Sequence, residues 1–139
     1  TGSRAQFQGS QHRRTSAGRS VTAAARIARG MWAENLVSGW YEHHGYRVIA
    51  RNWRCPRGEL DVVAIYGCEL VVCEVKARSS VVFGTPAEAI TPTKQLRLRR
   101  ATAALLTELR ADRSIRVDHV RFDVACVLGT QLEIVMNAF

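Results

Sequence analysis

The sequence predicts a single α/β domain with a mixed β-sheet flanked by helices. Three observations carry that prediction. The periodicities along the chain run helix, three strands, helix, strand and strand, an order that builds one layered α/β domain. The run Leu70 to Val75 is apolar on both faces, with Val71, Cys73 and Val75 on one and Leu70 and Val72 on the other, and such a strand is normally covered on both sides. The length of 139 residues allows one domain with a real core and is too short for two ordinary ones.

Residues 1–20 are rich in Gly, Ser, Gln and Arg and carry Phe7 as their only large hydrophobe. A segment of this composition buries too little apolar surface to offset its ordering, so a disordered basic tail is expected, followed by a domain over residues 21–139. Thr1-Gly2-Ser3 has the composition of an expression scar. Arg4, Arg13, Arg14 and Arg19 read as a solvated tail first and a phosphate-seeking arm second.

A helix is expected from about Thr22 to His44, because Ala33, Leu36, Val37, Trp40 and Tyr41 recur at spacings of three and four. Gly45 supplies its stop. Glu34 lies beside Ala33 at the edge of the buried stripe, where a carboxylate can reach a neighbouring sheet. Tyr46 to Trp53 reads as the first strand, and Cys55-Pro56-Arg57-Gly58 as the turn after it.

The stretch from Gly58 to Lys76 organises the rest. Its Val-, Leu- and Ile-rich runs are separated by a turn at Gly67, the local signature of a hairpin. If Gly67 and Cys68 form a two-residue loop, Tyr66 pairs with Glu69, Asp61 falls across from Glu74, and Glu59 falls across from Lys76. Alternation then projects Glu59, Asp61, Glu74 and Lys76 from one face. A three-residue loop would instead oppose Asp61 to Cys73. Opposed carboxylates in a sheet are destabilising unless something positive lies between them. Oxygen ligands of this kind suit a hard ion such as Mg²⁺ or Mn²⁺, and an adjacent lysine adds positive charge where a phosphate develops negative charge.

After the hairpin, Ser79 to Thr85 reads as a loop containing Phe83-Gly84, and Thr85-Pro86-Ala87-Glu88 matches a capping box. Thr91-Pro92 repeats the N-cap and N1 pattern and opens a second long helix to about Arg110. Leu98, Ala101, Leu105 and Leu109 form its packing stripe. Lys94, Arg97, Arg99 and Arg100 crowd its first half, where the helix dipole already favours anions, so these four are the expected DNA-backbone surface. Arg54 and Arg57, flanking the acids, are further candidate phosphate contacts. Val117 to Leu128 and Gln131 to Met136 read as the last two strands, with Asp123 expected to pair with an arginine rather than to bind metal.

These residues carry a resemblance. Asp61, followed by Glu74-Val75-Lys76, resembles the Asp…(Asp/Glu)-x-Lys core of the PD-(D/E)XK nucleases, the restriction-endonuclease-like proteins. Glu34, Asn52-Trp53-Arg54, Gly58-Glu59-Leu60-Asp61, Glu74-Val75-Lys76-Ala77-Arg78, Phe83-Gly84, Lys94-Gln95 and Arg121-Phe122-Asp123 occur in the order seen in the YraN family of predicted bacterial endonucleases. The resemblance spans about residues 24–139. It implies a restriction-endonuclease-like fold and a Mg²⁺- or Mn²⁺-dependent endonuclease acting on DNA. Asp61, Glu74 and the Val75 carbonyl would hold the ion, and Lys76 would serve catalysis. Glu34 would assist from the helix, with Glu59 and Gln95 behind them and Arg78 facing nucleic acid. The alternative is a nucleic-acid-binding protein of the same fold without turnover. A homodimer is compatible with the resemblance, although no residue pattern marks an interface.

Charge agrees with a polyanionic partner. Lys and Arg outnumber Asp and Glu by 20 to 12, the net charge is +8 and the pI is near 10.2. Arg matches phosphate oxygens bidentately, which favours nucleic acid. Cys55, Cys68, Cys73 and Cys126 form no Cys-x-x-Cys pair, which argues against structural zinc and for a reducing, cytoplasmic setting. No apolar stretch is long enough for a membrane span. No glycine-rich phosphate loop or nucleophile elbow is present, so ATP use is not expected.

Overall fold

Five strands form one sheet in the order β1-β2-β3-β4-β5, comprising β1 (Arg47–Cys55), β2 (Gly58–Tyr66), β3 (Glu69–Arg78), β4 (His119–Leu128) and β5 (Gln131–Val135). The computed structural model describes residues 18–78 and 90–139, with side chains from residue 23 onward. The tail before Gly18, the Phe83-Gly84 loop and the capping box at Thr85 lie outside the described residues. All neighbouring strands run antiparallel except β3 and β4, which are parallel from Glu69↔His119 to Arg78↔Leu128. A parallel pair needs a crossover, and α2 (Pro92–Leu109) lies in the segment that supplies it. This is the mixed, helix-flanked α/β sheet expected from the sequence, and it is compatible with a restriction-endonuclease-like fold.

Each sheet face has its own core. On one side α1 (Gly18–His43) lays Ala33, Val37 and Tyr41 on Val62, Ala64, Val71, Cys73, Ala125 and Val127. On the other, Leu98, Ala101 and Leu105 of α2 cover Leu60, Val63, Ile65, Leu70, Val72 and Val124. The double coating explains why β3 is apolar on both sides. Helix α1 is already formed at Gly18, ahead of the expected start near Thr22. It ends at Gly45, whose φ of 87° suits glycine, with the Tyr46 N–H bonded back to the Tyr41 carbonyl at 3.0 Å. Helix α2 opens as its sequence predicts: the Thr91 hydroxyl accepts the Lys94 N–H at 3.1 Å, and Pro92 occupies the first turn.

A buried polar clamp ties α1 to β4. Asp123 is fully buried and accepts from Tyr41 Oη at 2.6 Å, from Arg121 Nε and Nη2 at 2.9 and 3.0 Å, and from the Asn137 N–H at 3.0 Å. Arg121 also donates to Glu69 at 2.7 Å. Asp123 therefore pairs with an arginine as expected. Burial, the Cys73 thiol and the Asp123 carboxylate together hold the Tyr41 hydroxyl above the usual phenol range.

Candidate active site

The acids meet where β2 and β3 part. Their ladder runs from Tyr66↔Glu69 to Val62↔Cys73, the register of a two-residue turn, and ends one rung short of Asp61 and Glu74. In place of the next main-chain rung, Asp61 Oδ2 accepts the Val75 N–H at 2.9 Å. The expected ladder pairs Asp61 with Glu74 and Glu59 with Lys76 do not form.

The cause is a reversal of strand parity. Leu60 packs in the α2-side core, yet Val62, two residues on, packs in the α1-side core. Regular pleating would put both on one face. The neighbouring strand reverses at the same level: Arg51 reaches Asn35 of α1 at 2.6 Å, whereas Trp53 packs on the α2 side. Between them Asn52 has φ 48°, a left-handed conformation that Asn tolerates better than most residues. Because Arg51 pairs with Val62 and Trp53 with Leu60, Asn52 stands level with Asp61.

The reversal corrects the expectation of four charged side chains on one face. Glu59 turns to its β1 neighbour Arg54, at 3.5 Å, and leaves the cluster. Asp61 bridges to the β3 main chain. Glu74 and Lys76 keep a common side, the one α2 covers, with Lys76 Nζ 3.6 Å from Glu74 Oε1. Lys94, from the first turn of α2, reaches the same oxygen at 3.4 Å. Glu74 is buried, and among the described residues its Oε2 has no hydrogen-bond partner.

Burial pushes the Asp61 carboxyl up to about 7, and the Glu74 carboxylate adds to the rise; the Val75 N–H pulls the other way, and Glu34 pushes up again. Glu34 is thus within electrostatic reach of Asp61. Asn52 Nδ2 fixes it by donating to Oε2 at 2.7 Å. Among the described residues no group of three or more His, Cys, Asp and Glu side chains is spaced to cage a metal. The cluster instead offers two carboxylates and nearby main chain, a sparse donor set of the kind Mg²⁺ uses because it retains several waters. The partnerless Glu74 Oε2 and the Asp61 carboxyl, raised by burial and a neighbouring carboxylate, are the donors a hard cation would use.

The predicted basic residues differ in what they contact. Lys94 belongs to the acidic cluster itself. The Arg99 guanidinium lies over the Phe122 and Phe139 rings, 4.8 and 5.5 Å from their centres. Arg57, Arg97 and Arg100 are exposed, and Arg78 is half-buried at the end of β3. Gln95 donates to the Ile90 carbonyl at 3.3 Å and so braces the start of α2. A cavity of about 240 Å³ between Leu106 and Leu109 of α2 and Val117 and Val120 shares no residue with the acids.

Two contributors were not assigned their roles by sequence reasoning. Asn52 was visible only as part of a family motif, and nothing in its neighbourhood signals a positive φ. The sequence puts Lys94 among the expected DNA-backbone residues, whereas its contact with Glu74 depends on how α2 packs.

A family model described as "Uncharacterised protein family UPF0102" matches residues 33–127. The chain belongs to the UPF0102 family. This is the YraN family that the ordered motifs resembled. A UPF0102 protein of Acidothermus cellulolyticus is 45% identical over 129 residues, covering 85% of this chain and 98% of that relative. A UPF0102 protein of Beutenbergia cavernae is 48% identical over 107 residues, covering 77% and 87%. One from Moorella thermoacetica is 43% identical over 102 residues, covering 73% and 82%. The UPF0102 match takes in Glu34, Asn52, Asp61, Glu74, Lys76 and Lys94. No helix among the described residues is long and apolar enough to cross a membrane.

Proposed function

We propose that this chain is a divalent-cation-dependent endonuclease acting on DNA phosphodiester bonds. The observation that carries the reading is the convergence of two poorly solvated carboxylates, Asp61 and Glu74, with an ammonium group, Lys76, at the place where two strands separate. Asp61, Glu74 and the Val75 carbonyl would hold Mg²⁺ or Mn²⁺, which supplies Lewis-acid charge to phosphate oxygens when bound. The Lys76 ammonium would orient the attacking water, favour loss of its proton to solvent, and stabilise the negative charge that builds on the phosphate oxygens. Asn52 holds Glu34 so that its carboxylate assists from α1. Arg54, Arg57, Arg97 and Arg100 offer exposed charge for the DNA backbone, in keeping with the net charge of +8.

The test is a cleavage panel with Mg²⁺ or Mn²⁺ on plasmid, single-stranded, flap and four-way-junction DNA. The unaltered protein cleaves at least one substrate, and Asp61→Asn, Glu74→Gln and Lys76→Ala abolish that cleavage while remaining folded. Equal metal-dependent cleavage by all three variants rejects the mechanism.

One observation favours a second reading, a DNA-binding protein without turnover. Asp61 already accepts an amide, and Glu74 already faces two ammonium groups, so much of the acidic charge is compensated internally. That reading predicts salt-sensitive DNA binding and no nicking on any substrate in the panel.

A further inference from the structure

Two ammonium groups converge on one carboxylate oxygen. Lys76 Nζ and Lys94 Nζ lie 3.6 and 3.4 Å from Glu74 Oε1, while Oε2 of the same carboxylate is buried without a partner among the described residues. One ammonium neutralises one carboxylate. A second on the same oxygen is held close to a like charge, an arrangement that persists only while the carboxylate is shared between them. The two lysines are also held differently. Their side chains are about equally exposed, 32% for Lys76 and 38% for Lys94, but Lys76 starts on β3 two residues from Glu74, whereas Lys94 reaches in from the first turn of α2, a separate element.

We propose that Lys94 is the resting occupant of the Glu74 oxygen, yields it to the divalent cation, and then turns its charge to the DNA phosphate being cut. This rests on the endonuclease reading above and adds a positioning residue to it. Before the ion arrives, Lys94 lowers the cost of burying Glu74 and competes with the cation. Once the ion takes the carboxylate, repulsion drives the Lys94 ammonium outward. A phosphodiester oxygen entering the site then meets it at a helix start, where the main-chain dipole also favours an anion. Exposed basic residues elsewhere on α2 have no such contact with the acids.

A purely structural Lys94 and a competing one predict opposite signs for cation affinity. Removing a structural ion-pair partner loosens the site and weakens Mn²⁺ binding. Removing a competitor strengthens it. A unit charge this near a buried carboxylate changes cation affinity by on the order of tenfold.

The experiment is calorimetric titration of the full chain with Mn²⁺, comparing the unaltered protein with Lys94→Met, Lys94→Gln and Lys94→Arg, each checked for folding by circular dichroism. Titration is repeated as single-turnover cleavage of whichever substrate the unaltered protein cuts. Lys94→Met and Lys94→Gln are expected to bind Mn²⁺ about tenfold more tightly and to cut about tenfold more slowly at saturating ion, with Lys94→Arg close to unaltered in both. Unchanged or weaker Mn²⁺ binding in folded Met and Gln variants overturns the competition, and an undiminished cleavage rate overturns the phosphate contact. If the unaltered protein takes up no Mn²⁺, the endonuclease reading fails and this inference falls with it, a result distinct from either of the others.

Discussion

Substituting Asp61→Asn removes a charge that the fold itself resists, and the effect on stability can be worked from the site. Burial, then the Glu74 and Glu34 carboxylates, push the Asp61 carboxyl from its ordinary value of 3.8 up to about 7 in the folded protein. The folded state therefore holds this proton more tightly, so stability from the group is fully present below about pH 3.8 and is lost as pH rises to about 7. The difference is on the order of a few kcal/mol above pH 7. Asparagine keeps an oxygen for the Val75 N–H and carries no charge at any of these pH values. Urea unfolding in EDTA should find Asp61→Asn nearly as stable as the unaltered protein at pH 4, and more stable by a few kcal/mol at pH 8. Adding Mn²⁺ at pH 8 should stabilise only the unaltered protein, because ligand binding to the folded state adds to its stability. An Asn variant less stable than the unaltered protein at pH 8 would refute the claim that an uncompensated carboxylate occupies this site.

Asp123→Ala should cost about 1–3 kcal/mol in urea unfolding, because it leaves the buried Tyr41 hydroxyl unpaired and takes from the half-buried Arg121 one of its two carboxylates, Glu69 remaining. Asn52→Gly keeps the left-handed conformation but releases Glu34, so it should slow cleavage several-fold with little loss of stability. Asn52→Ala strains the same backbone and should be less stable than the Gly variant by about 1 kcal/mol, measured by the same unfolding assay. Arg97→Ala or Arg100→Ala should each lower the salt dependence of DNA binding by about one charge. Arg99→Ala should instead lower thermal stability, since its guanidinium covers Phe122 and Phe139.

Much of this architecture was legible in the chain because it depends on local chemistry. The turn at Gly67, with φ 58°, sets the two-residue loop and with it the pairing from Tyr66↔Glu69 to Val62↔Cys73. Thr91-Pro92 starts α2 by capping geometry that neighbouring residues decide. The two-sided apolar pattern of β3 foretold helices on both faces. What failed depended on irregularities within strands, at Asn52 on β1 and between Leu60 and Val62 on β2. Period-2 alternation assumes extended residues throughout, and Asn52 breaks that assumption without a glycine to announce it. The consequence reaches furthest at Glu59, which alternation placed beside Lys76 and which faces Arg54 instead. Lys94 illustrates a different limit. The sequence places it with Arg97, Arg99 and Arg100 on the expected DNA-backbone surface, but its approach to Glu74 is set by α2 docking across a crossover that no short-range pattern encodes.

The central claim is that Asp61 and Glu74 together seat a hard divalent cation. Electron paramagnetic resonance of free Mn²⁺ during titration into the unaltered protein, Asp61→Asn and Glu74→Gln at pH 8 reads this without reference to catalysis. The unaltered protein should remove a stoichiometric amount of the free-ion signal and each folded variant should remove almost none. Equal uptake by all three would mean that any cation this protein binds is held by other groups.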